Sequence, residues 1–418
     1  MGPLIVFTAV LAAQTTTAGA GQTPAPSNDS GSAAAPKPGQ STYLDVQGGV
    51  GYSSNPRLNV SSSNGEVFGR ISLHGVYTRV SARTTTLLSA YAENLTYTKH
   101  YGSQQSLSIY GRHDAAVSEH VRIFGDVNAN YEQGGQLDTT LLVVPNVPPL
   151  TGVPTTPIIL PPGSDFLTIK GKEYQFSAHG GAQFALSPRD DVSVSTGVDR
   201  TVFHSAFADT NYTTIPVTLA YDRRLSERTT VGGMITAQDS EYNGPASVRM
   251  YTPQLTGRLL LSPTVSLNGA VGVSFARIDD GILTRHTTGL SANASLCSTT
   301  ESGQFCGHVA IDQETATAAG PAKSISGGID YSRRLDADST AAFSLSVNRY
   351  SSPTSVIIGQ PFSGATYYRA AGEYSRRIGN RWFGGVNLAA RKLTEAGPDP
   401  KTDFSVSLFI RYRFGDIQ

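Results

Sequence analysis

The residues able to do chemistry in this chain are few and dispersed. Its eight histidines form no HExxH pair or comparable metal signature. His204 and Ser205 are adjacent, but adjacent positions on a strand point to opposite faces, and no serine, histidine and acid come together by spacing alone. No catalytic residue, metal site or cofactor is therefore assigned, and the chain does not read as an enzyme. Cys297 and Cys306 are the only cysteines, with eight residues between them in a Ser/Thr/Gly-rich stretch and only His308 nearby. A metal would need more ligands than that. In an exported protein the pair suits a small disulfide, expected here in an external loop.

A second chemical set runs the length of the chain. Arg70, Arg112, Asp126, Glu173, Gln183, Asp199, Arg258, Asp330, Arg369, Glu373, Arg391 and Arg411 are assigned to the polar side of alternating segments. They are the candidates for lining an aqueous lumen. A salt-bridge lattice that stiffens the wall competes evenly with ion selection, and the mixed signs argue against strong selectivity for either ion.

The elements that must position these residues are strands. Phe404, Val406, Leu408, Ile410, Tyr412 and Phe414 share one parity, while Ser405, Ser407, Arg411 and Arg413 occupy the other, with Phe409 the exception. Side chains of a strand alternate between faces, so one face is apolar and the other mostly polar. Val265 to Phe275 and Val121 to Tyr131 repeat the pattern, and no stretch after residue 40 keeps a helical period. In the third segment Glu93 is placed inside, because a carboxylate facing lipid is costly. The whole predicts an all-β fold, a transmembrane up-and-down antiparallel β-barrel of about 16 strands.

Composition agrees with that class. The chain has 418 residues, Lys+Arg and Asp+Glu are equal at 32, and only 15% of residues are charged. A soluble domain carries about 25% charged residues. Zero net charge gives no reason to expect a nucleic-acid partner. Residues 3–13 are an apolar run too short for a membrane helix but suited to a secretory signal, with Ala18-Gly19-Ala20 as a cleavage pattern. The expected organisation is a signal peptide over residues 1–20, a disordered periplasmic leader over 21–41 and the barrel over 42–418.

Connections sort into two kinds. Short turns follow every even strand, and longer loops, including residues 133–167 and 279–321, follow every odd one. An up-and-down barrel has this asymmetry, with short periplasmic turns and long external loops. The loop 133–167 is rich in aliphatic residues and is expected to pack against the inner wall. Tyr221-Asp222-Arg223-Arg224, Tyr331-Ser332-Arg333-Arg334 and Tyr374-Ser375-Arg376-Arg377 each precede a short turn, placing tyrosine at an interfacial girdle.

Gly51-Tyr52-Ser53-Ser54-Asn55-Pro56 closes the first segment. With the YxRR turns and the aromatic last strand, it resembles a family of outer-membrane β-barrel porins, many of them found beside exopolysaccharide export genes. Here, residues 415–418 follow the terminal aromatic Phe414 on which classical porins end. The resemblance implies the bacterial outer membrane as location and, more loosely, transport. The favoured function is a porin-like channel for small solutes or saccharides. Exopolysaccharide export or surface-polysaccharide handling is second, and a structural or adhesive barrel plugged by its own loops is third. Expected partners are outer-membrane lipid and a saccharide or small polar solute, with homo-oligomerisation left open.

Overall fold

The computed structural model describes residues 39–56, 58, 64–133, 171–205, 209–243, 246–279, 281, 283–316, 320–351, 365–395 and 401–415. Eighteen strands account for nearly all of them. They are β1 (Gly39–Ser53), β2 (Glu66–Val80), β3 (Thr84–Tyr97), β4 (Ser103–Ala116), β5 (Val121–Gln133), β6 (Gly171–Ala185), β7 (Asp190–Ser205), β8 (Asp209–Arg224) and β9 (Thr229–Tyr242). The second half comprises β10 (Ser247–Ser262), β11 (Val265–Asp279), β12 (Thr284–Thr300), β13 (Gly303–Ala316), β14 (Gly320–Arg334), β15 (Ser339–Ser351), β16 (Ala365–Arg377), β17 (Trp382–Glu395) and β18 (Lys401–Gly415). Each strand pairs antiparallel with the next, and β18 pairs with β1, so the sheet closes on itself. Closure satisfies every strand edge, which hydrocarbon demands because it offers no hydrogen bonds to exposed backbone.

Three expectations change. The barrel has eighteen strands rather than about sixteen, because the stretch 279–321 is not one external loop but holds the hairpin β12–β13. Its outward face on β12 sets Leu290 and Leu296 among His286, Thr288, Ala292 and Ala294, and pairing with β11 and β14 completes what that local pattern leaves open. The cysteines accordingly lie on two strands beside the short turn 301–302, at the opposite end of the barrel from the long loops. The sheet also begins earlier, with residues 39–41 in β1 instead of in the leader. The signal peptide, the rest of the leader and the loop 133–167 beyond Gln133 lie outside the described residues, apart from residue 133 itself in β5.

Register carries one parity around the wall. In β1, Leu44, Val50 and Tyr52 are exposed while Tyr43, Asp45 and Ser53 are buried. Asp45 faces His74, His74 faces Tyr91 and Tyr91 faces Ser108, so the buried parity of one strand continues on the next. The other parity carries Ile71, Leu88, Ile109, Val127, Phe176, Leu219, Val271, Leu345 and Leu408, all exposed. Exposed aliphatics in a continuous outer belt are what lipid stabilises and water does not. Glu93 is on the inner side, 6% exposed.

At the short-turn end the belt finishes in aromatics. Trp382, Tyr412 and Phe414 form a chain of edge-on contacts with ring centroids 4.7 and 4.6 Å apart. Tyr221, Tyr331 and Tyr374 are also exposed there, and the Tyr221 hydroxyl donates to Asp190 Oδ1 at 2.6 Å. In the turn 335–338 the Asp338 amide donates to Asp336 Oδ1 at 2.7 Å and holds that carboxyl below its usual range. Eighteen strands about 4.8 Å apart and tilted by about 40° enclose a ring of backbone about 35 Å across, wide enough for a water-filled lumen.

Candidate functional site: the inner wall

The inner wall is built from the buried parity of every strand. All twelve charged and amide residues singled out from the sequence sit on it, but they do not form one cluster. Register sets Arg112 opposite Asp126 and Arg369 opposite Arg391. Glu173 on β6 faces Glu132 on β5 and accepts a hydrogen bond of 2.5 Å from Gln175 Nε2. Glu373 on β16 faces Asn387. Gln183, Arg258 and Asp330 stand apart on β6, β10 and β14.

The tightest assembly is at the long-loop end, where the barrel closes. Asp403 at the start of β18 is fully buried and forms an ion pair with Arg391 on β17, with Arg391 Nε 3.0 Å from Asp403 Oδ2. Its other oxygen accepts from Ser53 Oγ and from the Asn55 amide, both at 2.7 Å, and from Ser54 Oγ at 3.2 Å. Those donors belong to the Gly51–Pro56 segment, so the motif acts as a fastening. Gly51 is needed because a Cβ there would collide with the Phe68 ring and the Val406 carbonyl.

Beyond the fastening the chain turns inward. The Leu58 amide donates to the Asn55 carbonyl at 3.0 Å, and Leu58 has a φ of 48°, which a branched side chain adopts only when held there. The holding is burial: Leu58 has no exposed surface and packs against Tyr367 on β16 and Leu393 on β17. The described part of the first long connection, residues 54–56 and 58, thus lies as a strap against the ends of β16, β17 and β18. Its return foot is tied at the other side, where Tyr101 Oη donates to the Asn64 carbonyl at 3.2 Å and the His100 amide donates to Glu66 at 2.6 Å.

Further networks lie deeper. Arg413 grips Asp45 with two bonds of 2.7 Å across the β18–β1 closure, and its guanidinium lies 4.3 Å over the Tyr43 ring. Arg411 Nε is 3.9 Å from the same carboxylate, with its charge 5.0 Å over Phe383. Arg70 pairs with Glu93 and donates to Tyr91 Oη at 3.1 Å, while that hydroxyl donates to Glu93 at 2.5 Å. On β4 to β7, Arg112 binds Asp114 at 2.9 and 3.0 Å, and His179 stands between Asp126 at 3.2 Å and Asp199 at 3.1 Å.

Asp45, Asp403, Arg413 and His179 are partners that the candidate set did not contain. Alternation already marked the first three: Asp45 shares parity with Tyr43 and Gln47, and Asp403 and Arg413 share it with Ser405, Ser407 and Arg411. The disulfide joins Cys297 to Cys306 at directly opposed positions on β12 and β13, with Cα atoms 4.1 Å apart. Its side chains are buried on the inner face, next to Asp330. Among the described residues no group of three or more His, Cys, Asp or Glu side chains could hold a metal ion.

No protein-family model and no curated protein matches the sequence. Among solved structures the chain is similar to the FrpB iron transporter from Neisseria meningitidis, F3-3 variant, with 10% identity over 91% of this chain and 82% of that one, at a TM-score of 0.44. It is similar to the copper transporter OprC with 10% identity, covering 90% and 80% of the two chains at a TM-score of 0.42. A bacterial polysaccharide outer membrane secretin matches with 8% identity, 89% and 98% coverage and a TM-score of 0.33. None of the three bears on what this lumen carries.

Proposed function

We propose that the protein is a porin-like channel of the bacterial outer membrane that passes small polar solutes, saccharides among them. One observation carries the reading: a closed barrel of eighteen strands with an apolar belt outside and polar side chains inside. A lumen of that width leaves an aqueous path unless loops fill it. The ion pairs of the wall are mostly satisfied within it, so they stiffen the barrel and leave weak ion selectivity. A barrel occluded by its own loops is the second reading, favoured by the strap that brings Leu58 against Tyr367 and Leu393. Purified protein in planar bilayers separates the two. Discrete conductance steps with a cation-to-anion permeability ratio near one are expected. A folded protein that inserts but stays silent at all voltages means an occluded barrel.

A further inference from the structure

The inner wall is not uniform around its circumference. Charged side chains point inward along the whole length of β16 to β18 and β1 to β7, from Asp403 at the long-loop end to Arg413 near the short turns, and they engage one another: Arg391 with Asp403, Arg413 with Asp45, Arg70 with Glu93, and His179 with Asp126 and Asp199. The half from β8 to β15 is different. Among the described residues, β9, β11 and β15 turn no charged side chain inward. Asp222, Arg258 and Asp330 lie toward the short-turn ends of their strands, and Arg285 and Asp312 toward the long-loop ends.

Between those ends this half carries hydroxyls and amides in two tiers, beside the imidazole of His308, which stands 3.8 Å from Asp330. Short hydroxyls pair at the wall, Thr214 with Ser240 at 2.9 Å and Thr252 with Ser274 at 3.0 Å, and both serines have no exposed surface. Above them Gln238, Gln254, Asn268, Asn293, Ser326 and Ser346 remain half-exposed. Gln254 Nε2 donates to Ser291 Oγ at 2.7 Å, tying the amide on β10 to the hydroxyl on β12.

We propose that the solute path follows this neutral half and that the solute is an uncharged polyhydroxylated molecule, a neutral oligosaccharide. The inference rests on the channel reading above and narrows its substrate class. Hydroxyl and amide groups both donate and accept, as sugar hydroxyls do, so a sugar exchanges water for the wall group by group. An ion on the same path loses hydration and meets no counter-charge along the middle of the wall. The paired charges opposite are committed to each other and give an ionic solute little to bind.

The test uses the full protein in planar bilayers in potassium chloride, with added maltohexaose as the neutral probe and oligogalacturonate of matched length as the charged one. Maltohexaose should interrupt the current at a concentration about tenfold lower than the acidic sugar. Gln254→Leu and Asn293→Leu, on different strands, should each weaken the maltohexaose block about fivefold, the loss expected for one hydrogen bond of about 1 kcal/mol. Both variants should still insert and conduct potassium chloride, which reports correct folding. Equal or stronger block by oligogalacturonate, or unchanged block in both conducting variants, overturns the neutral path and leaves the channel reading standing. Absence of conductance in wild-type protein instead removes the channel reading, and this inference with it.

Discussion

Replacing Asp403 with alanine tests the fastening of the strap most directly. The carboxylate is fully buried, pairs with Arg391, whose side chain is 3% exposed, and accepts from Ser53 and Asn55. Removing one member of a buried ion pair leaves the other charge uncompensated, which costs about 3–5 kcal/mol. Here the cost falls at the high end, because Arg391 is the register neighbour of Arg369, and the two guanidinium groups then face each other with less negative charge nearby. The lost bonds to Ser53 and Asn55 are worth about 0.5–1.5 kcal/mol each but are not additive with the pair. Leu58 loses its anchor at the same time, although its buried side chain still contributes about 1.5–3 kcal/mol against Tyr367 and Leu393. The assay is urea unfolding of the protein in lipid vesicles, followed by intrinsic fluorescence, beside labelling of a Leu58→Cys variant with an impermeant maleimide. Asp403→Ala should lose about 5 kcal/mol and expose position 58 to label. Asp338→Ala, which removes an exposed ion pair to Arg377, should lose less than about 1 kcal/mol. A loss at Asp403 no greater than at Asp338, with position 58 still protected, would refute the buried fastening.

Three more outcomes follow from the wall and the belt. Leu345→Arg faces lipid and should cost about 2–4 kcal/mol, whereas Ser346→Arg faces the lumen and should cost less; equal losses in the same unfolding assay would overturn the face assignment. Cys297→Ser should leave the barrel assembled and lower its stability by no more than about 3 kcal/mol, because β12 and β13 are already aligned by backbone pairing; failure to reach the heat-modifiable folded band on a gel would contradict this. Glu93→Gln should destabilise more than the double replacement Arg70→Met, Glu93→Leu, since the single change strands a buried guanidinium; the reverse order in urea midpoints would show that the pair is not isolated from solvent.

Much of this molecule is local and therefore legible in one sequence. A strand presents alternate residues to alternate faces, so Leu345 and Ser346, or Leu408 and Ser407, declare their sides without knowledge of any neighbour. The same rule grouped the arginines and acids on one face, and the cost of a carboxylate in lipid put Glu93 inside. Short turns alternating with long connections made the up-and-down order visible as well. The hairpin β12–β13 escaped because His286, Thr288, Ala292 and Ala294 break the outward apolar run around Leu290 and Leu296, and because the Ser/Thr/Gly-rich composition about its short turn, Glu301-Ser302, resembles a loop. Those strands are held by their partners on both sides, and the location of the disulfide shifted with them. Closure was beyond local reading. Whether Ser53 meets Asp403, 350 residues away, depends on the register of β1 against β18, and that register is settled only when the whole circumference is in place. The strap is of the same kind. Leu58 looks like an ordinary loop residue until Tyr367 and Leu393, from strands at the far end of the chain, form the surface that buries it. Sequence thus determined which residues face inward, and the tertiary structure decided which of them touch, because ion pairs across a closed sheet are set by the relative position of strands distant in the chain.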